Sequence, residues 1–214
     1  MKLQTIYDIF DKSSPNLQKL NVYCIDFLKN YLDETNFVKP DFPKEYNTEL
    51  KVSLFVTWLD ESSKNYNRRL RGCIGTFRRE NFKELLEYFT IISARKDTRF
   101  KSVEIDELKN FSTSVSILDE LEECKDVYDW ELGIHGVSVS FFHKNKEYSA
   151  CYLPEVPIIN NWDKKLTLDR CVKKSGYANE LGHLEEVIGT MKVLKFKSIK
   201  SSITYNEYLK CKKS

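Results

Sequence analysis

Apolar positions along the chain recur with two periods, and the switch between them marks the elements. Leu17, Leu20, Cys24, Phe27, Leu28 and Tyr31 fall at helical spacing and form one face. Ser14-Pro15 supplies the start, because serine caps and proline fits the first helical position. From Asp33 to Glu49, with Pro40 and Pro43, the pattern reads as a loop. Leu50, Val52, Leu54, Val56 and Trp58 then alternate with Lys51, Ser53 and Thr57, which predicts a half-buried strand. A polar loop from Asp60 to Asn67 leads to a second strand, expected to end at a glycine-flanked cysteine.

The later pattern continues in the same mixed manner. Asn81 with Glu84 resembles a capping box, and Phe82, Leu85, Leu86, Phe89 and Ile92 give the helix behind it an apolar face. Phe111, Thr113, Val115 and Ile117 alternate with serines as another strand. Val137, Val139 and Phe141, a turn at Lys144-Asn145, and Tyr148 to Leu153 form a hairpin. Thr167 begins a short helix with Gly176 just past its end, and Met191 to Phe196 reads as an edge strand. Helices and strands intermix without regular βαβ alternation. This predicts an α+β fold, a mixed or antiparallel sheet packed with helices and with room for a small second lobe. The expected organisation is one domain over 1–214, with a motif core of about 50–176 onto which the N-terminal helix and C-terminal strand pack.

Composition narrows the functional classes. Lys and Arg number 34 against 32 acidic residues, a net charge of +2, which argues against a dedicated nucleic-acid partner. No apolar run reaches membrane-spanning length, so no membrane partner is expected. The N-terminus turns acidic before a signal-peptide core can form. The ending Cys211-Lys212-Lys213-Ser214 has lysines where prenylation needs aliphatic residues, so no lipid anchor is expected. The six cysteines are dispersed, lack a C-x-x-C pair and are read as reduced thiols. Nucleophile elbow, Walker loop, dinucleotide fingerprint and H-E-x-x-H pair are all missing, and no cofactor or metal is called for.

Leu70-Arg71-Gly72-Cys73-Ile74-Gly75 is the most unusual local feature. Only seven glycines occur in the chain, yet two of them flank one cysteine. The segment reads as a turn that exposes a thiol and backbone amides to a small ligand. Arg68, Arg69, Arg71, Arg78 and Arg79 crowd the same stretch, and nearby cations favour a thiolate. The alternatives are a small cysteine packed on a bulged strand, and arginines on a solvated loop face. In Trp130-Glu131-Leu132-Gly133-Ile134-His135-Gly136, His135 is either a general base or a turn histidine bonded to backbone. Cys73, His135, Asp97 and Glu155 are also the residue types of a zinc or iron site, if the fold brings them together. His143 and His183 read as surface residues.

Several blocks together resemble a known family. Leu70 to Gly75 is similar to the signature of the AMMECR-one family, named after the chromosomal region of a syndrome of Alport nephropathy, midface hypoplasia and elliptocytosis. Lys96-Asp97-Thr98-Arg99-Phe100, Asp129 to Gly136, Tyr152-Leu153-Pro154-Glu155-Val156 and Trp162-Asp163 resemble its later blocks in the same order. Ser175 stands where the family commonly has glycine, and Arg78-Arg79 make the loop after the signature unusually basic. The resemblance implies an α+β protein of the cytoplasm or nucleus, with a cleft and no settled activity. It implies an association, in archaea and bacteria, with Memo-like and radical-SAM domains.

The reading that results is a small-molecule-binding or catalytic cleft. Cys73, His135, Glu155 and Asp97 are its candidate catalytic residues. Arg71, Gly72, Gly75, Arg99, Trp130 and Glu131 are its candidate ligand-binding residues. The other reading is an adaptor that presents this surface to a protein partner.

Overall fold

The computed structural model describes residues 10, 16–33, 35, 37–62 and 69–213. In chain order the first elements are α1 (Asn16–Leu32), β1 (Lys51–Asp60), β2 (Arg69–Asn81), α2 (Phe82–Arg95), a 3-10 helix (Ile105–Asn110) and β3 (Phe111–Leu118). Then come β4 (Glu122–Glu123), β5 (Gly136–His143), β6 (Lys146–Tyr152), α3 (Glu155–Ile159) and α4 (Lys164–Lys174). The last are α5 (Leu184–Val187), β7 (Lys192–Phe196), β8 (Ser198–Thr204) and α6 (Tyr205–Cys211). Two antiparallel sheets packed with helices make this an α+β fold. The chain divides into two compact units, Met1–Leu118 with Ile199–Ser214, and Asp119–Ser198.

The first unit is built on a sheet of order β2-β1-β3-β8. Alternation along β1 turns Val52, Leu54, Val56 and Trp58 into the core, all fully buried, where α1 and α2 supply Leu20, Leu28, Phe82 and Leu86. Trp58 is held there by its indole N–H, which donates to Ser93 Oγ at 3.1 Å. Asn81 caps α2 by accepting the Glu84 N–H, as its spacing predicts. Tyr31 departs from the expected apolar face and is about half exposed, being at the last turn of α1. Ser14-Pro15 lies outside the described residues.

β3 is more enclosed than its alternation predicts, since both its apolar residues and its serines are buried. The polar members need partners, and α1 brings one. The fully buried Asn21 donates through Nδ2 to Thr113 O at 3.1 Å and to Ser201 O at 3.3 Å, joining β3 to β8.

The second unit has a sheet of order β4-β7-β5-β6. Its hairpin turns at Lys144 (φ 48°) and Asn145 (φ 61°), the paired left-handed residues of a type I′ turn. Trp130, Val137, Val139, Phe141, Leu168 and Cys171 form its core. α4 begins three residues before Thr167, because Asp163 caps it by accepting the Leu166 N–H at 2.7 Å. Gly176 follows its end at φ +78°, where a side chain would be strained. β7 is not an edge strand: it lies between β4 and β5, the short β4 pairing at Leu194 and Lys195.

Candidate functional site

β2 runs through the Leu70–Gly75 segment without a break, so the expected turn is a 13-residue strand at the sheet edge. Its glycines answer to contact rather than to turning, for neither has a positive φ. A Cβ on Gly72 would lie 1.9 Å from the carbonyl oxygen of Ser93, and one on Gly75 would lie 2.2 Å from that of Leu54. Helix α2 therefore packs directly against the strand backbone at Gly72. Trp58 pairs with Gly72 while Leu59 pairs with Leu70, which leaves Arg71 as the extra residue of a bulge.

Cys73 sits opposite Thr57 and is half-buried. Its main chain is held by side chains instead of a neighbouring strand. The Cys73 N–H donates to Asp97 Oδ2 at 2.9 Å, and Arg99 Nη2 donates to Cys73 O at 3.1 Å. Arg99 also grips Asp97 with both arms, Nε to Oδ1 at 2.9 Å and Nη2 to Oδ2 at 2.6 Å. The pair supplies the acceptor and donor that an edge strand would otherwise leave to water or to another chain. Outward-facing main-chain groups make Thr57 and Cys73 a non-hydrogen-bonded pair, in which side chains approach closely. Accordingly Thr57 Oγ1 donates to the Cys73 sulfur at 3.1 Å. Burial pushes the Asp97 carboxyl up, but Arg99 and the Cys73 and Arg99 N–H groups outweigh it and hold it below its ordinary value.

The arginines of the segment do different work from one another. The bulge directs Arg71 to Lys101 O, to Ser102 O at 3.4 Å and to both Glu107 carboxylate oxygens at 3.1 Å. Its side chain is mostly enclosed, and these bonds tie β2 to the 3-10 helix. Arg69 pairs with Asp60, and Arg79 donates to Lys51 O. Arg69, Arg71, Arg78 and Arg79 thus lie on the strand and not on a loop, while Arg68 lies outside the described residues. Arg99 keeps its side chain about half exposed beside Cys73.

Arg71, Gly72, Cys73, Gly75, Asp97 and Arg99 belong to the first unit, and Trp130, Glu131, His135 and Glu155 to the second. In the second unit Trp130 is a core residue, 2% exposed, with its indole N–H on Val127 O at 3.0 Å. His135 closes a turn with Glu131: Nδ1 accepts the Glu131 N–H at 3.0 Å, and the His135 N–H donates to Glu131 O at 2.9 Å. That bond leaves the ring proton on Nε2 when the ring is neutral. Partial burial, then Lys197 and Lys195, hold its pKa below the ordinary 6.5. Glu155 is the first residue of α3.

A family model described as AMMECR1 matches residues 21–200. The chain belongs to the AMMECR1 family. An uncharacterized protein of Arabidopsis thaliana is 33% identical over 194 residues, covering 90% of this chain and 87% of its own length. One from Schizosaccharomyces pombe is 36% identical over 158 residues, covering 74% of this chain and 78% of its own. The crystal structure of an uncharacterized protein from Pyrococcus horikoshii shares the fold, with a TM-score of 0.74 at 24% identity over 87% of this chain and 91% of that one.

Within this AMMECR1-family chain, sequence reasoning missed Thr57, Ser93 and Glu107. Thr57 was within reach, because alternation from Trp58 puts it on the opposite face of β1 from the core. Ser93 and Glu107 carry no local signal, since their roles depend on where α2 and the 3-10 helix meet β2. His143 is half-buried, and 38% of the His183 side chain is exposed. His143 Nδ1 lies 3.4 Å from Tyr177 Oη, which donates to Glu186 at 2.8 Å, and Glu186 in turn meets His183 Nδ1 at 2.8 Å. Among the described residues no cluster of His, Cys, Asp and Glu could hold a metal ion, and no helix is long and apolar enough to cross a membrane. All six cysteines are thiols.

Proposed function

We propose that this protein is a small-molecule-binding domain whose site is the Cys73 segment of β2, and whose ligand carries an anionic group. The observation that carries this reading is the pair Asp97–Arg99, which holds both main-chain groups of Cys73 while about half of the Arg99 side chain stays in solvent. A hydroxyl donor such as Thr57 favours charge on the sulfur it meets, and a guanidinium nearby favours a negative ligand. Arg71 serves as a strut between β2 and the 3-10 helix. Gly72 and Gly75 set how closely the strand approaches its neighbours.

Two alkylating agents of similar size test the reading. Iodoacetate carries a charge and iodoacetamide does not. The ratio of their rates at Cys73 is expected to be higher in the native chain than in the same chain unfolded in urea. Arg99→Gln is expected to return the ratio to the unfolded value. An unchanged ratio in the native protein, or one that survives Arg99→Gln, contradicts an anion-selecting thiol site.

A further inference from the structure

The Trp162-Asp163 pair belongs to the second unit, and its surroundings there are unusual. Arg170 and Lys174 stand one turn apart on α4, so they share a face. The Arg170 guanidinium lies 5.0 Å from the centre of the Trp162 ring, and Lys174 Nζ lies 4.5 Å from that of Tyr152. The two rings meet edge to face at 5.3 Å. Two cations are thereby laid over one aromatic pair.

A ring face attracts a cation but does not accept the N–H bonds of a guanidinium in its own plane, and arginine has five such donors. The Nε of Arg170 is shut off from water without a hydrogen-bond partner, and no carboxylate among the described residues pairs with the group. The nearest carboxylates along the chain hold backbone instead. Asp169 accepts the N–H groups of Gly182, His183 and Leu184 at 2.6, 3.1 and 3.1 Å, and Asp163 caps α4. Lys174 is anchored by a bond to Cys151 O at 2.7 Å, and its charge stays beside Tyr152.

We propose that Arg170, backed by Trp162, binds an oxyanion, the carboxylate or phosphate group of a small molecule. A planar guanidinium fork matches both groups bidentately, the Trp162 ring lies against it, and Lys174 adds positive potential. Every residue of this site lies in the second unit.

Trp162 is also its reporter. Of the three tryptophans, Trp58 and Trp130 are buried and Trp162 is partly exposed. The full chain is titrated with sodium phosphate and, separately, with sodium acetate, at an ionic strength fixed by sodium chloride. A saturable change in tryptophan fluorescence is expected with at least one anion, and the anion that gives it decides between phosphate and carboxylate. Arg170→Gln is expected to abolish it. Arg170→Lys keeps the charge without the fork and is expected to weaken affinity roughly tenfold or more. Lys174→Met is expected to weaken it roughly threefold. No response beyond chloride, or an Arg170→Gln or Arg170→Lys titration that matches the wild type, overturns the proposal.

Discussion

Gly72-Cys73-Ile74-Gly75 and Gly133-Ile134-His135-Gly136 look alike on paper, each with one chemically capable side chain between two glycines. Their physics differs. Gly133 has φ +77° and makes a turn, inside which His135 uses Nδ1 to close the loop on Glu131. Gly72 and Gly75 sit in extended strand and are glycines because backbone from α2 and β1 occupies the space of a Cβ. The histidine is thus held by its own side chain, whereas Cys73 is held by its main chain. At Cys73 the main chain sets the position, and the sulfur in addition accepts the Thr57 hydroxyl.

The largest expected difference is in the glycines. Gly72→Ala drives a Cβ into the Ser93 carbonyl, which is helix backbone, and is expected to cost about 3 kcal/mol or more. Gly133→Ala meets only the flexible end of Ile158, at 3.2 Å, and its cost is chiefly the left-handed backbone, about 1–2 kcal/mol. Urea midpoints of the two variants check this. Equal losses would mean that the two motifs are alike after all.

The side chains that hold each motif come next. Asp97→Ala leaves the Cys73 N–H and the Arg99 guanidinium without their acceptor in a nearly buried place, and is expected to cost about 2–3 kcal/mol. His135→Ala removes one bond at the surface and is expected to cost about 1 kcal/mol or less. Chemical denaturation at neutral pH compares them, and a His135 loss as large as that of Asp97 would break the contrast.

Acid separates the two regions more finely. The His135 pKa is lowered on folding, so its neutral form stabilises the native state, and that contribution fades as pH falls from about 6.5 through the folded value. The Asp97 pKa is also lowered, so its contribution is full above about 3.8 and is lost only as pH falls through its own folded value. Stability measured against pH is expected to show a shallow first step that His135→Ala removes. A step at lower pH, shared with other carboxylates held below their ordinary values such as Asp60 and Asp129, should be reduced by Asp97→Ala. A first step that persists in His135→Ala would assign it to another group.

How much of this was legible in the chain depends on whether the cause was local. The alternation of β1, the cap at Asn81 and the Lys144-Asn145 hairpin are local, and their signals were plain. β8 and α6 went unread although Ile199, Ser201 and Ile203 alternate and Thr204 with Glu207 forms a capping box. The glycine-flanked cysteine reads as a turn because turning is the commoner use of glycine, and the alternative, a cysteine on a bulged strand, is what forms. Its actual cause, the Ser93 carbonyl, lies 21 positions away and becomes visible only when α2 packs on β2. The same holds for Arg71, whose direction follows from a bulge in the pairing with β1.

The central claim, that Cys73 is positioned by its backbone and keeps an accessible thiol, is most directly tested by competition labelling with iodoacetamide in the native chain. Cys24 and Cys171 are fully buried in apolar surroundings, which raise both thiol pKa values, that of Cys24 to about 12. Cys73 is expected to label at least about tenfold faster than either. A Cys73 that labels no faster than Cys24 would be a packing residue, and the site proposed around it would not exist.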